Sequence, residues 1–168
     1  MRAPYNDGKN IVLIGMPGSG KSTVGPILAQ KTGMGFVDTD QLIKDADGRN
    51  LGDIVKEDGY ERFLELQQQI ITSKVFRNHV IATGGSVVKS ESLMRYLKET
   101  GVAIYLDEDP VVLESRLDPG RRLARLKGQT FSDLYMERRP LYVRYADRII
   151  DCIGKTADEI VQEIIENV

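Results

Sequence analysis

Ile11-Val12-Leu13-Ile14-Gly15-Met16-Pro17-Gly18-Ser19-Gly20-Lys21-Ser22-Thr23 is the stretch that decides the fold. A continuous apolar run ended by glycine reads as a short strand buried on both faces. The residues Gly15 to Ser22 then match G-x-x-x-x-G-K-[S/T] in full. Glycines allow the backbone to fold around an anion with its N–H groups pointing inward. A helix from Lys21 to Thr32, closed by Gly33, presents its N-terminal dipole to the same anion. In this frame Lys21 reaches the β- and γ-phosphates of a nucleotide, and Ser22 offers a hydroxyl to Mg²⁺. A strand before the loop and a helix after it are the context this motif requires.

Outward from that loop the chain alternates. Strands are expected at Phe36-Val37, His79 to Ala82, Val102 to Leu106 and Arg148 to Ile153. Helices are expected from Gln41 to Glu57, broken around Gly48 with Asn50 as a cap, and from Tyr60 to Phe76. Ser90 caps a further helix that Gly101 ends, Asp109-Pro110 opens another, and Phe131 to Arg144 forms a long one. Thr156-Ala157-Asp158-Glu159 is a capping box ahead of the last helix. Pro26, inside the first helix, is expected to remove a backbone bond and bend the axis. Strands alternating with helices predict a three-layer α/β fold with a parallel sheet, helices on both faces, and one domain over residues 1–168. The glycine-, proline- and arginine-bearing stretch 118–128 reads as a mobile lid.

Composition narrows the function. The 168 residues are 41% hydrophobic and 29% charged with a formal charge of −2, which offers no global attraction for nucleic acid or an anionic membrane. No apolar run is long enough to span a bilayer, and Met1 to Asn10 is too polar for a signal peptide. The single cysteine, Cys152, reads as a core residue, and the single histidine, His79, has no neighbour with which to hold zinc. A reducing cytoplasm, a monomer and a small-molecule partner are the expectation. No Asn-Lys-x-Asp segment reads guanine, and Asp45-Ala46-Asp47-Gly48 is a turn between helices.

Phe36-Val37-Asp38-Thr39-Asp40 sets two carboxylates past the end of the second strand, on the sheet edge where ligands bind. Alternate spacing on an extended segment would send both toward the phosphates, one for Mg²⁺ and one for the attacking hydroxyl. The alternative is that they cap the helix from Gln41, and Asp40 could do both. Gly84 and Gly85 end the third strand at the same edge and permit close approach of a ligand. Arg116, Arg121, Arg122, Arg125, Arg138 and Arg139 gather late in the chain, where an arginine-bearing lid would stabilise transferring charge.

Taken in order, Gly15–Thr23, Asp38-Thr39-Asp40, Ala82-Thr83-Gly84-Gly85 and Glu137-Arg138-Arg139-Pro140-Leu141-Tyr142 followed by Ala146-Asp147 resemble the shikimate kinase family. The resemblance implies a five-stranded parallel sheet in order 2-3-1-4-5 and ATP- and Mg²⁺-dependent phosphorylation of shikimate to shikimate 3-phosphate. It implies that Gly15, Gly18, Ser19, Gly20, Lys21, Ser22 and Thr23 hold the nucleotide, with Arg116 against adenine. Arg122 (or Arg121) would be the lid arginine, and Lys21, Asp40 and Arg122 the catalytic set. Asp38 with Ser22 would hold the metal, while Asp40, Gly84, Gly85 and Arg138 would hold the acceptor. The chain departs from the family pattern at Leu64, where an arginine is usual, at Ser86, where a glycine is usual, and at Gly120-Arg121-Arg122-Leu123 in the lid. Each departure touches the acceptor or the lid, so a gluconate- or homoserine-like acceptor is the nearest alternative, and a regulatory nucleotide-binding module a more distant one.

Overall fold

The computed structural model describes residues 7–118 and 123–168. Five parallel strands form one sheet in the order β2-β3-β1-β4-β5. They are β1 (Asn10–Ile14), β2 (Gly35–Asp38), β3 (His79–Ala82), β4 (Gly101–Asp107) and β5 (Arg148–Asp151). The central strand β1 pairs Ile11 with Val80 on one side and with Val102 on the other. All five residues of β1 are buried, as the continuous apolar run requires.

Alternate residues of the strands point to opposite layers. Val12, Ile14, Ile81 and Tyr105 face a core completed by α4 (Tyr60–Thr72), α5 (Glu91–Glu99) and α7 (Phe131–Tyr145). Ile11, Leu13, Val80 and Ile104 face the opposite core, made with α1 (Lys21–Thr32) and α8 (Ala157–Asn167). A third, smaller cluster joins α2 (Thr39–Asp47), α3 (Leu51–Asp58) and α4 around Ile43, Ile54 and Phe63. Phe63 is fully buried there, which is worth about 1.5–3 kcal/mol of apolar transfer. The short helix α6 (Pro110–Ser115) follows β4.

Local chemistry explains the boundaries. Asp38, Ser90, Asp109, Thr130 and Thr156 each cap a helix with a side-chain oxygen, and the last two complete reciprocal capping boxes. Asn50 occupies a cap position without a side-chain bond. The helix α1 runs on through Pro26. Asp45 to Asp47 form the last turn of α2 and Gly48 its left-handed cap, rather than a separate turn. Thr100, not Gly101, caps the end of α5, and Gly101 opens β4, where a Cβ would lie 2.9 Å from the carbonyl oxygen of Asn10. Cys152 is buried, and burial with the nearby Glu108 charge pushes its thiol up to about 12. No described helix is long and apolar enough to cross a membrane, and no described His, Cys, Asp and Glu cluster forms a ready-made metal site.

Candidate active site

A cleft of about 910 Å³ opens along the carboxyl ends of the strands. That is room for a nucleotide and a small second molecule. Its middle is the phosphate loop. Gly18 and Gly20 hold left-handed backbone, with φ of 84° and 97°, and a Cβ at Gly15 would lie 2.9 Å from both Leu106 O and Ser19 Oγ. No side chain caps α1 and its first turn carries no acid, so this helix terminus keeps its partial positive charge for an anion. The five side-chain-capped helices contrast with it.

Lys21 departs from the simplest expectation, a side chain largely solvated until ligand binds. It is 7% exposed. Its Nζ donates to Gly15 O (2.6 Å), Met16 O (2.9 Å) and Ser19 Oγ (3.2 Å). The carbonyls of the loop thus hold the ammonium at the place where phosphate oxygens would collect.

Asp38 and Asp40 both line the cleft, but not as an extended pair. Asp38 ends β2 and its Oδ1 accepts from the backbone N–H of Asp40 (2.9 Å) and of Gln41 (3.3 Å). That cap starts α2 immediately, so Asp40 lies in the first helical turn. Capping therefore belongs to Asp38, not to Asp40. Its other oxygen, Oδ2, accepts from Ser22 Oγ at 3.0 Å. A hydroxyl and a carboxylate meeting beside the phosphate loop are hard oxygen donors of the kind that suit Mg²⁺.

The glycines after β3 make room for side chains as much as for a ligand. A Cβ on Gly84 would fall 2.2 Å from Asp40 Oδ1, and one on Gly85 would fall 3.0 Å from Arg138 Nη1. Thr39 Oγ1 accepts from Gly84 N (3.1 Å), tying the start of α2 to this turn. Arg138, on α7, is the largest fully buried side chain, at 1% exposure. Its Nη2 donates to Ala124 O (2.5 Å) and approaches the Tyr60 hydroxyl at 3.5 Å. Among the described residues it makes no ion pair, and its Nε has no hydrogen-bond partner.

At the other end, Arg116 Nη1 donates to Gly18 O (3.0 Å) and Nη2 approaches Glu108 Oε2 (3.4 Å). Glu108 is a buried carboxylate at the end of β4 that the sequence pattern had not singled out. Its only prior signal is position, since β4 ends at the same edge as the loop. Tyr142, which stands in the Glu137–Tyr142 landmark without an assigned role, donates its hydroxyl to Gly85 O (2.6 Å). Burial holds that phenol neutral far above its ordinary range. Arg139 turns away to pair with Asp107 (3.1 Å), and Arg125 does not line the cleft. Arg121 and Arg122 lie outside the described residues.

The sequence model of shikimate kinases matches residues 17–168. The chain belongs to the shikimate kinase family. Among curated relatives of this kinase, the shikimate kinase of Thermodesulfovibrio yellowstonii is 38% identical over 165 residues, covering 94% of each chain. That of Persephonella marina is 37% identical over 160 residues, covering 94% of this chain and 97% of its own. A solved shikimate kinase from Acinetobacter baumannii, in complex with shikimate, superposes with a TM-score of 0.83 at 28% identity, covering 96% of this chain and 93% of its own. The kinase is ATP-dependent and transfers a phosphoryl group to a small-molecule hydroxyl.

Proposed function

We propose that this kinase transfers the γ-phosphoryl group of ATP to a ring hydroxyl of shikimate, giving shikimate 3-phosphate, with Mg²⁺ held by Ser22 and Asp38. The observation that carries the acceptor is Arg138. A buried guanidinium with no ion-pair partner among the described residues is costly to maintain. A monocarboxylate seated against it removes that cost and places its ring toward Asp40. The family's curated relatives, of near-equal length, carry the same activity in their names.

Each role follows from the geometry. The phosphate-loop N–H groups and the uncapped terminus of α1 bind the triphosphate, with Arg116 beside the base. When bound, Mg²⁺ neutralises charge on the β- and γ-oxygens. Lys21 follows the transferring group with its ammonium. Asp40, across Gly84 from the acceptor seat, takes the proton of the attacking hydroxyl. Gly84 and Gly85 set the depth of that seat. One copy of the chain supplies every residue used, so a monomer suffices, and the cytoplasm supplies its ATP.

Product analysis tests the proposal. With ATP and Mg²⁺, shikimate is expected to yield ADP and shikimate 3-phosphate in equal amounts, while gluconate and homoserine yield neither. Arg138→Met is expected to raise the shikimate KM by about ten- to a hundredfold, the worth of a charge-assisted contact, with the ATP KM unchanged. ADP release without phosphorylated shikimate would overturn it.

A further inference from the structure

One buried polar pair at the edge of the cleft has no part in the chemistry assigned so far. Ser86 follows the two glycines after β3, lines the cleft and is 3% exposed. Its Oγ donates to Gln67 Oε1 at 3.0 Å. Gln67, in the middle of α4, is fully buried, and its Nε2 has no hydrogen-bond partner among the described residues. Ile71, one turn on from Gln67, and Val87 and Val88, which follow Ser86, belong to the apolar core on this side of the sheet.

Packing does not account for this pair. A buried amide with its donors unused is unfavourable, and methionine would fill a similar volume without that penalty. Nor does local structure require Ser86. Its side chain makes no cap bond to the short helical turn it precedes, and its φ of −92° is open to other residues. What the pair does achieve is orientation. With its proton committed to Gln67, the hydroxyl keeps its lone pairs for an incoming donor. It stands next to Gly84 and Gly85, which are crowded by Asp40 and Arg138.

We infer that Ser86, oriented by Gln67, is a specificity-determining residue that accepts a hydrogen bond from a non-reacting hydroxyl of the acceptor. The inference rests on the seating of shikimate between Asp40 and Arg138. It makes the site selective for an acceptor with a second hydroxyl near the one that is phosphorylated.

The test pairs enzyme variants with trimmed ligands. Wild type, Ser86→Ala and Gln67→Met are titrated calorimetrically with shikimate and with the two analogues that each lack one non-reacting ring hydroxyl. Kinetics on shikimate and ATP run alongside. Ser86→Ala is expected to weaken shikimate binding about five- to tenfold, as for one neutral hydrogen bond, with the ATP KM nearly unchanged and the melting temperature lowered by a few degrees, because Gln67 Oε1 loses its donor. Gln67→Met, which removes the orientation but keeps the volume, is expected to weaken it by a similar factor. For one analogue the difference between wild type and Ser86→Ala should vanish, because that ligand lacks the donor. A factor that is the same for shikimate and both analogues, or a variant that loses melting temperature and kcat with shikimate affinity intact, overturns the role of Ser86. Wild type that binds none of the three ligands overturns the acceptor reading itself, and the inference with it.

Discussion

The phosphate loop of the cleft is a single stretch of chain, Gly15–Ser22, closed on itself by the Lys21 ammonium, whereas the end proposed for the acceptor gathers Asp40 from α2, Gly84 to Ser86 from the turn after β3, and Arg138 from α7. The first is built mainly of main-chain groups, which most side-chain substitutions outside its glycines leave in place. The second is built of side chains, any of which can be exchanged while the sheet stays as it is. Nucleotide handling should therefore be stubborn and acceptor choice adjustable.

Breaking the phosphate end should have the largest consequence. In the proposed mechanism Lys21→Ala removes an ammonium that follows the transferring group, and kcat is expected to fall by about a thousandfold or more. The lost bonds to Gly15 and Met16 carbonyls cost about 1 kcal/mol of stability, so the circular dichroism spectrum should hold and the melting temperature drop only by a few degrees. Shikimate binding without nucleotide should stay within about twofold, since the acceptor seat is elsewhere. Turnover within tenfold of wild type would refute the division.

A gain at the acceptor end should be smaller. Leu64 is half-buried beside the Ile43, Ile54 and Phe63 cluster. It lies one helical turn beyond Tyr60, whose hydroxyl is 3.5 Å from Arg138 Nη2, so both residues share a face of α4. Leu64→Arg would bring a second cation to a carboxylate held at Arg138. The shikimate KM is expected to fall about tenfold, one charge-assisted contact less some lost packing, and the ATP KM to remain unchanged. Steady-state kinetics decide it, and a raised shikimate KM would show that position 64 serves the core alone.

The smallest effect belongs to a staple outside both ends. Arg49 pairs with Asp47 (2.6 Å), Glu57 (2.9 Å) and Asp58 (2.7 Å), binding α2 to the end of α3. Its hydrogen bonds hold the Asp47 and Asp58 carboxyls below their ordinary range. A carboxylate lowered in the folded state adds stability above its unfolded value and loses it as pH falls through the folded one. The melting-temperature gap between wild type and Arg49→Met should be modest at pH 7 and close below about pH 4, with kinetics unaffected. A gap that ignores pH would mean the network contributes nothing.

How much was legible in advance follows the same division. Gly15 to Ser22 carries its chemistry in contiguous residues, and the strand and helix that flank it follow from apolar runs and glycines. Asp38 and Asp40 were legible by place but not by conformation, because a cap that forms within two residues converts an extended pair into a helix start. The burial of Lys21 escaped because its partners are carbonyls, which carry no sequence signature. Gln67, Tyr60 and the contact made by Tyr142 escaped for another reason. These are ordinary helix residues until packing brings α4 and α7 against the turn after β3. Leu64 shows the reverse, a departure conspicuous in the sequence whose effect depends on what stands one turn away.

The strand order has a consequence for descent. With β1 in the middle, the acceptor's neighbours β2 and β3 lie on one side, while β4 and β5, which carry Glu108, Arg116 and Lys155 behind them, lie on the other. The chain crosses from one side to the other near residue 100. On the proposed assignment, a recombination there would pass on the taste for an alcohol and the grip on a base almost as separate legacies. Arg138 is the exception: it belongs to the later half yet serves the earlier one, seated where Gly85 leaves it space. A side chain introduced at position 85 would make both Pro17 and the Arg138 guanidinium shift.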